Sequence, residues 1–341
     1  MSGALTDGLG RRHTHLRISL TERCNLRCVY CMPAEGVPLV PRPDRLTAAE
    51  IERLGRYFVS RGVAKVRLTG GEPLARRDAP EIAARLGAIP GLGALALTTN
   101  GLLLSRHLGA LAAAGLTHLT LSLDTLRPDR FRALTRRDGL EAVLDALHAA
   151  LAAGYGHDPA RPLKLNCVVL RGQNDDEAGA FAALARAHPV EVRFIEFMPF
   201  AGNAWGRDAL VPWAETRAAV EAAHGPLVPR TDAPSATART FAFAAGGAGR
   251  VGFVASMTAP FCAGCTRLRV TADGALKVCL FGRAEVSLRD ALRAGASDAD
   301  LDALVSGALA RKAPAHAGHR LGLDALAAEA DGNRSMTAIG G

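Results

Sequence analysis

The chain has 341 residues, 49% of them hydrophobic and 22% charged, which excludes a disordered composition and supplies core for about two domains of roughly 100–200 residues, or one large α/β domain with an extension. No stretch approaches the roughly 18 consecutive apolar residues of a membrane span, and residues 1–10 lack the basic and apolar regions of a secretory signal, so a cytoplasmic protein with reduced thiols is expected. The net charge of +8 permits a polyanionic partner without identifying one, because the basic runs are short and only Lys65, Lys164, Lys277 and Lys312 of the 41 basic residues are lysines.

In chain order, residues 1–12 read as a loose N-terminal arm. Residues 15–20 read as a strand, and 47–61 as an amphipathic helix opened by Thr47 and Glu50 in capping-box spacing. Residues 65–69 form a strand ending at Gly70-Gly71, 79–86 a helix, 95–99 a strand before Asn100-Gly101, and 105–114 a helix. A strand over 118–123, a helix over 140–153, a strand over 164–170, a helix over 175–187 and a strand over 191–197 follow. Six βα-like units imply a parallel sheet with right-handed crossovers, either a partial barrel or a doubly wound sheet. In both, function sits at the carboxyl ends of the strands. Those ends are polar here: Thr21, then Thr69 to Glu72, Thr99-Asn100, Ser122 to Asp124, and Glu196 to Met198. Beyond residue 200 the grammar changes. Residues 225–250 read as loop or linker, 241–243 and 251–255 as paired strands, and 286–294 and 298–311 as helices. The expected organisation is an arm (1–12), a main domain (13–200) and an extension packed on it (201–341).

Seven cysteines sharpen this outline. Cys24, Cys28 and Cys31 form C-x3-C-x2-C directly after the first strand. Cys262, Cys265 and Cys279 form C-x2-C-x13-C in the extension. Each trio admits structural zinc, an iron–sulfur cluster or unligated thiols. Zinc normally takes four protein ligands, and neither trio has an evident fourth, although His13 and His15 lie upstream of the first. A cube held by three thiolates leaves one iron open to a ligand. Cys167, in a Val-rich strand, reads as a buried inert thiol. Arg267 and Arg269 follow the second trio and share one face of an extended segment, a forked pair suited to phosphate or purine. Lys65, Arg67 and Thr69 likewise share a face opposite Val66 and Leu68, which turns the basic face into a barrel or onto a solvated strand edge. No G-x-x-x-x-G-K-[ST] loop is present, which excludes a P-loop nucleotide site. A zinc-stabilised basic nucleic-acid binder remains the contrasting reading of the cysteines and the charge.

Cys24-x3-Cys28-x2-Cys31 with Tyr30, together with Thr69-Gly70-Gly71-Glu72-Pro73 after the second strand, resembles the signature of the radical S-adenosylmethionine (SAM) family. The second trio with Arg267 and Arg269, Lys65-Val66-Arg67, Thr98 to Gly101, Ser122 to Asp124, Lys164 to Asn166, Arg193 to Met198 and Gly340-Gly341 extends the likeness along nearly the whole chain, to the branch that acts on GTP in molybdenum cofactor biosynthesis. The resemblance implies an α/β fold, a partial (β/α)6 TIM-like barrel of the radical SAM type, with a C-terminal extension carrying a second iron–sulfur cluster. It implies two 4Fe–4S clusters, on Cys24, Cys28, Cys31 and on Cys262, Cys265, Cys279, with SAM as cofactor. SAM would meet Tyr30, Gly71, Glu72, Ser122 and Met198, although Met198 equally suits core filling. GTP would meet Arg17, Lys65, Arg67, Thr69, Thr98, Lys164, Arg193, Arg267, Leu268 through its backbone, and Arg269. Arg17, Gly340 and Gly341 would assist catalysis, where a flexible tail is the plain alternative. The implied reaction is that of a lyase converting GTP to (8S)-3′,8-cyclo-7,8-dihydroguanosine 5′-triphosphate; a radical SAM enzyme acting on a peptide is the alternative. Implied partners are an external one-electron donor, a downstream cyclic pyranopterin monophosphate synthase and a second copy in a homodimer, with no nucleic acid and no membrane.

Overall fold

The computed structural model describes residues 3–203, 205–318, 326 and 330–340. Six parallel strands lie side by side in chain order: β1 (His15–Ser19), β2 (Lys65–Thr69), β3 (Ala94–Thr99), β4 (Leu116–Ser122), β5 (Leu163–Val169) and β6 (Glu191–Glu196). The crossovers carry α1 (Ala48–Ser60), α2 (Ala79–Gly87), α3 (Leu104–Ala113), α4 (Pro128–Thr135), α5 (Leu140–Ala152) and α6 (Ala178–Ala187). The capping box opens α1 as expected: Thr47 Oγ1 accepts from Glu50 N, and the Glu50 carboxylate accepts from Thr47 N. The strand faces divide as the alternation predicts. Leu16, Ile18, Val66 and Leu68 are buried in the main hydrophobic core, while Arg17, Lys65 and Arg67 point to the other face.

Two short helices escape the sequence reading. α4 starts with Pro128 at its first turn, and α7 (Trp213–His224) lies in the extension. Both carry few buried residues, so a weak apolar stripe is their only periodic signal.

The extension does more than pack on the barrel. β9 (Arg250–Val254) pairs parallel with β6, and β10 (Arg267–Val270) pairs parallel with β1, so eight parallel strands stand in one sheet. β7 (Leu227–Pro229) and β8 (Arg239–Phe243) continue it antiparallel beyond β9, and β11 (Ala275–Lys277) and β12 (Val286–Ser287) beyond β10. The pairing of 241–243 with the 251–255 region is as expected, whereas β7 lies within the segment read as linker. α8 (Leu288–Arg293), α9 (Asp298–Ala310) and α10 (Met336–Ile339) complete the described helices. Arg17, Thr69, Thr98, Ser122, Asn166, Arg193, Val254 and Arg269, one from each parallel strand, line a single cavity, so the sheet curves into a partial barrel.

Glu196 fastens barrel to extension. Its buried carboxylate accepts from Trp213 N at 2.9 Å, Met257 N at 2.7 Å and Thr258 N at 2.9 Å, and from the Thr258 hydroxyl. Glu196→Ala strips three backbone N–H groups of their acceptor. It is expected to lower stability by about 3 kcal/mol, read from the urea midpoint. A change within a few tenths of a kcal/mol would show that these donors find other partners.

The N-terminal arm is not loose. Asp7 is buried, and its carboxylate accepts from Leu9 N and Arg11 N at 3.0 Å each and from Arg11 Nε at 2.7 Å. Arg11 then donates to Cys262 O, Ala313 O and Pro314 O, at 2.9–3.0 Å. These long-range bonds, invisible to local patterning, pin the arm against the second cysteine segment.

Candidate functional site

The first trio follows β1 on a loop held in place by its own backbone. Arg27 N and Val29 N donate to Thr135 O and Leu134 O at 2.9 Å each, and Cys31 N donates to Cys28 O at 3.0 Å. Gly70 and Gly71 permit this loop to close over β2. Gly70 has φ +145°, and a Cβ there would lie 2.5 Å from Thr21 O; a Cβ on Gly71 would lie 2.5 Å from Glu22 O. The second trio is set by a tight turn, Cys262–Gly264, with Cys279 just past β11. All six thiols line one cavity of about 320 Å³ at the carboxyl ends of the strands.

The electrostatics of the trios differ. Burial pushes the Cys24 thiol up to about 11 and the Cys31 thiol to about 12, with Cys24 and Asp124 adding to the effect at Cys31. Burial also raises Cys265, but the Arg267 and Lys312 charges outweigh it and hold that thiol at about 7. Crowded buried thiols of this kind ionise only when a cation arrives, which is the chemistry of a metal donor set. Among the described residues, no three His, Cys, Asp or Glu side chains gather as a single metal ion requires. A cube makes no such demand, since each thiolate binds a different iron. The donor set, three thiols per trio facing a shared cavity, therefore fits two open-corner clusters.

Around the first trio, Tyr30, Gly71, Ser122 and Met198 line the cavity. Tyr30 is fixed there by donating its hydroxyl to Asp124 Oδ2 at 2.7 Å, and Asp124 Oδ1 accepts from Val168 N at 2.8 Å. Glu72 departs from expectation. Its carboxylate is fully buried and accepts from Leu74 N (3.0 Å), Thr99 Oγ1 (2.8 Å) and Asn100 N (2.8 Å), with no place in the cavity wall. Burial raises it to about 7. It ties the end of β2 to the end of β3. Asn166 is the residue that sequence reasoning passed over. Its Oδ1 is buried in the cavity wall without a hydrogen-bond partner among the described residues. Its place two residues after Lys164, on the same strand face, was the available signal.

The expected substrate residues divide between two cavities that share lining residues. Thr69, Thr98 and Arg269 line the first cavity. Lys65, Arg67 and Lys164 line a second, polar cavity of about 370 Å³ toward the amino-terminal ends of the strands. Arg17, Arg193 and Arg267 line both. Arg67 is held by donating to Leu97 O, Thr98 Oγ1 and Thr120 Oγ1 at 3.0–3.1 Å. Thr69 donates to Ile18 O at 3.3 Å. Arg17 has no hydrogen-bond or ion-pair partner among the described residues, and burial followed by Arg269, Arg67, Arg267 and Arg193 lowers its pKa. Glu191 partly offsets this field, meeting Arg193, Arg250 at 2.5 Å and Lys164 at 3.7 Å. Leu268 sends its side chain into the core, leaving only its backbone for any contact.

The tail enters the site. Met336 and Thr337 line the first cavity, and Gly340 O accepts from Arg269 Nη1. Gly340 is buried at φ +80°, where a Cβ would strike Thr69 Oγ1, so only glycine fits. Gly341 lies outside the described residues. Cys167 is buried as expected, its thiol donating to Asp124 O at 3.7 Å.

Known proteins agree with this geometry. The Radical SAM superfamily profile matches residues 18–185, and the Molybdenum Cofactor Synthesis C profile matches residues 190–318. The mitochondrial GTP 3′,8-cyclase of Arabidopsis thaliana is 50% identical over 341 residues, covering 100% of this chain and 84% of that protein. The GTP 3′,8-cyclase of Moorella thermoacetica is 44% identical over 316 residues, 92% of this chain and 95% of that one. Molybdenum cofactor biosynthesis protein 1 of Mus musculus is 50% identical over 317 residues, 93% of this chain but 49% of the mouse protein. Among solved structures, Streptococcus suis SuiB bound to S-adenosylmethionine shares the fold, with a TM-score of 0.60 at 15% identity over 88% of this chain and 68% of that one. The chain belongs to the GTP 3′,8-cyclase family of the radical SAM superfamily.

Proposed function

We propose that the chain is a radical SAM lyase that converts GTP to (8S)-3′,8-cyclo-7,8-dihydroguanosine 5′-triphosphate, the first step of molybdenum cofactor biosynthesis. The observation that carries this reading is the placing of two cysteine trios on one cavity that shares Arg17, Arg193 and Arg267 with a neighbouring basic space. The cations Arg17, Lys65, Arg67, Lys164, Arg193 and Arg267 around one space suit a polyphosphate better than a peptide, and the named relatives favour the nucleotide.

Cys24, Cys28 and Cys31 would hold the first cluster, which with SAM would supply one-electron reduction and hydrogen-abstracting radical chemistry at the substrate. The chain's residues do the rest by position. Tyr30, fixed by Asp124, walls the cofactor space beside Gly71, Ser122 and Met198. Arg17, Arg193 and Arg267 line both cavities, so a nucleotide laid along them presents its base to the second trio and its phosphates to Lys65, Arg67 and Lys164. Held at both ends, the ribose is fixed between the trios, which lowers the entropic part of the barrier. Within this proposal the chain acts as a cytoplasmic homodimer, receives its electron from an external donor and passes product to a cyclic pyranopterin monophosphate synthase. Among the described residues, no helix is long and apolar enough to cross a membrane.

Anaerobic incubation of cluster-loaded chain with GTP and SAM tests the reading: consumption of GTP matched by 5′-deoxyadenosine supports it, and SAM cleavage that ignores GTP overturns it. The basic cavity adds a pH signature. Burial, then neighbouring cations, lowers Lys65 to about 6 and Lys164 to about 7 in the free protein. A bound polyanion restores their protons. Above these values binding must therefore take up protons, and GTP affinity falls as pH rises from 6 to 8, by up to about tenfold per pH unit for each lysine. Calorimetry across that range reads it; a flat profile would contradict protonated lysines at the phosphates.

A further inference from the structure

Lys312 lies just past α9 and is 7% exposed, yet no carboxylate meets its ammonium among the described residues. Its Nζ donates to Val278 O, to Arg267 O at 3.2 Å and to Cys265 Sγ at 3.5 Å. These partners belong to the strands and turn that present the second trio. A buried cation with no counter-ion is costly, and among the described residues the second-trio sulfurs, Cys265 in hydrogen-bond contact and Cys279 further off, are the groups that carry opposing charge toward it. Among the described residues, the first trio's sulfurs are hydrogen-bonded by neutral donors, Leu26 N at 3.4 Å and Asn100 Nδ2 at 3.9 Å on Cys24 and Tyr30 on Cys28, while the Arg27 charge acts on Cys24 without such a bond.

We propose that Lys312 is a positioning residue of the second trio: its buried ammonium neutralises the Cys265 thiolate, draws electron density from the cluster held there and makes the open iron a stronger acceptor for the substrate. The inference rests on the cluster reading above. A hydrogen-bonded cation beside a ligand sulfur favours the more negative, reduced state and so raises the midpoint potential. The segment that carries Lys312 is itself held in place. Arg11 donates to Ala313 O and Pro314 O as well as to Cys262 O, so the charge is fixed relative to the trio.

The test uses full-length chain with Cys24, Cys28 and Cys31 replaced by Ala, so that only the second cluster contributes, and an EPR-monitored redox titration. Lys312→Met and Lys312→Gln are expected to shift the midpoint to more negative values, Gln because it keeps a donor but loses the charge; Lys312→Arg is expected to stay near the parent. Selective loss of iron from Lys312→Met and Lys312→Gln, with Lys312→Arg retaining it, supports the same role. A Lys312→Gln chain with full iron and the parent potential overturns the proposal, as does equal loss of iron in all three variants. A parent chain that binds no iron at Cys262, Cys265 and Cys279 fails earlier, and overturns the cluster reading itself together with this inference.

Discussion

Cys28→Ala is expected to lower GTP turnover by roughly three orders of magnitude or more, the scale seen when one member of an interdependent catalytic set is removed. Cys28 is the middle thiol of the first trio, and burial first, then Cys31, Asp124 and Cys24, raise its pKa. The loop does not need its sulfur to keep its shape. The bonds from Arg27 N and Val29 N to α4, and Arg136 Nη1 to Arg27 O at 2.8 Å, involve only backbone acceptors. The substitution should therefore leave circular dichroism unchanged and take away about half of the bound iron. Full iron with wild-type turnover would show that this trio does not carry the reaction.

Arg17→Ala is expected to reduce kcat/KM for GTP by roughly 30- to 1,000-fold, corresponding to about 2–4 kcal/mol for a desolvated, charge-assisted contact. The same change should raise the thermal midpoint of the ligand-free protein. Arg17 stands among Arg67, Arg193, Arg267 and Arg269 with no partner of its own among the described residues, so its charge costs stability until an anion arrives. Differential scanning calorimetry with and without GTP separates the two effects. The variant should begin more stable and gain less from the nucleotide. A variant that is less stable when free, yet binds GTP normally, would make Arg17 a structural residue.

The parts of the site that lie within one strand–loop unit were legible in the sequence. The spacing of Cys24, Cys28 and Cys31 and the alternation of Lys65 with Arg67 are local patterns, and the structure places these residues on the cavity walls. Glu72 shows the limit of such reading. A motif carries a carboxylate to the right loop, but only the approach of β3 decides that Thr99 and Asn100 consume it. Asp124 and Lys312 have the same origin. Each is an ordinary polar residue until a partner remote in sequence defines its role: Asp124 through Tyr30, Lys312 through Cys265. The addition of β9 and β10 to opposite edges of the six-stranded sheet was equally hidden, because parallel pairing between segments some 60 to 250 residues apart leaves no periodic trace. That pairing places Arg267 and Arg269 beside His15 and Arg17, joining the second trio to the basic cavity.

The central claim is that each trio holds its own open-corner cluster above a shared substrate space. Anaerobic iron and sulfide analysis of the intact chain, beside variants with either trio replaced by Ala, measures it most directly. The account predicts a brown protein with about eight iron and eight sulfide per chain, falling to about four of each when either trio is removed. A colourless chain carrying zinc, or one that loses all its iron with a single trio, would contradict it.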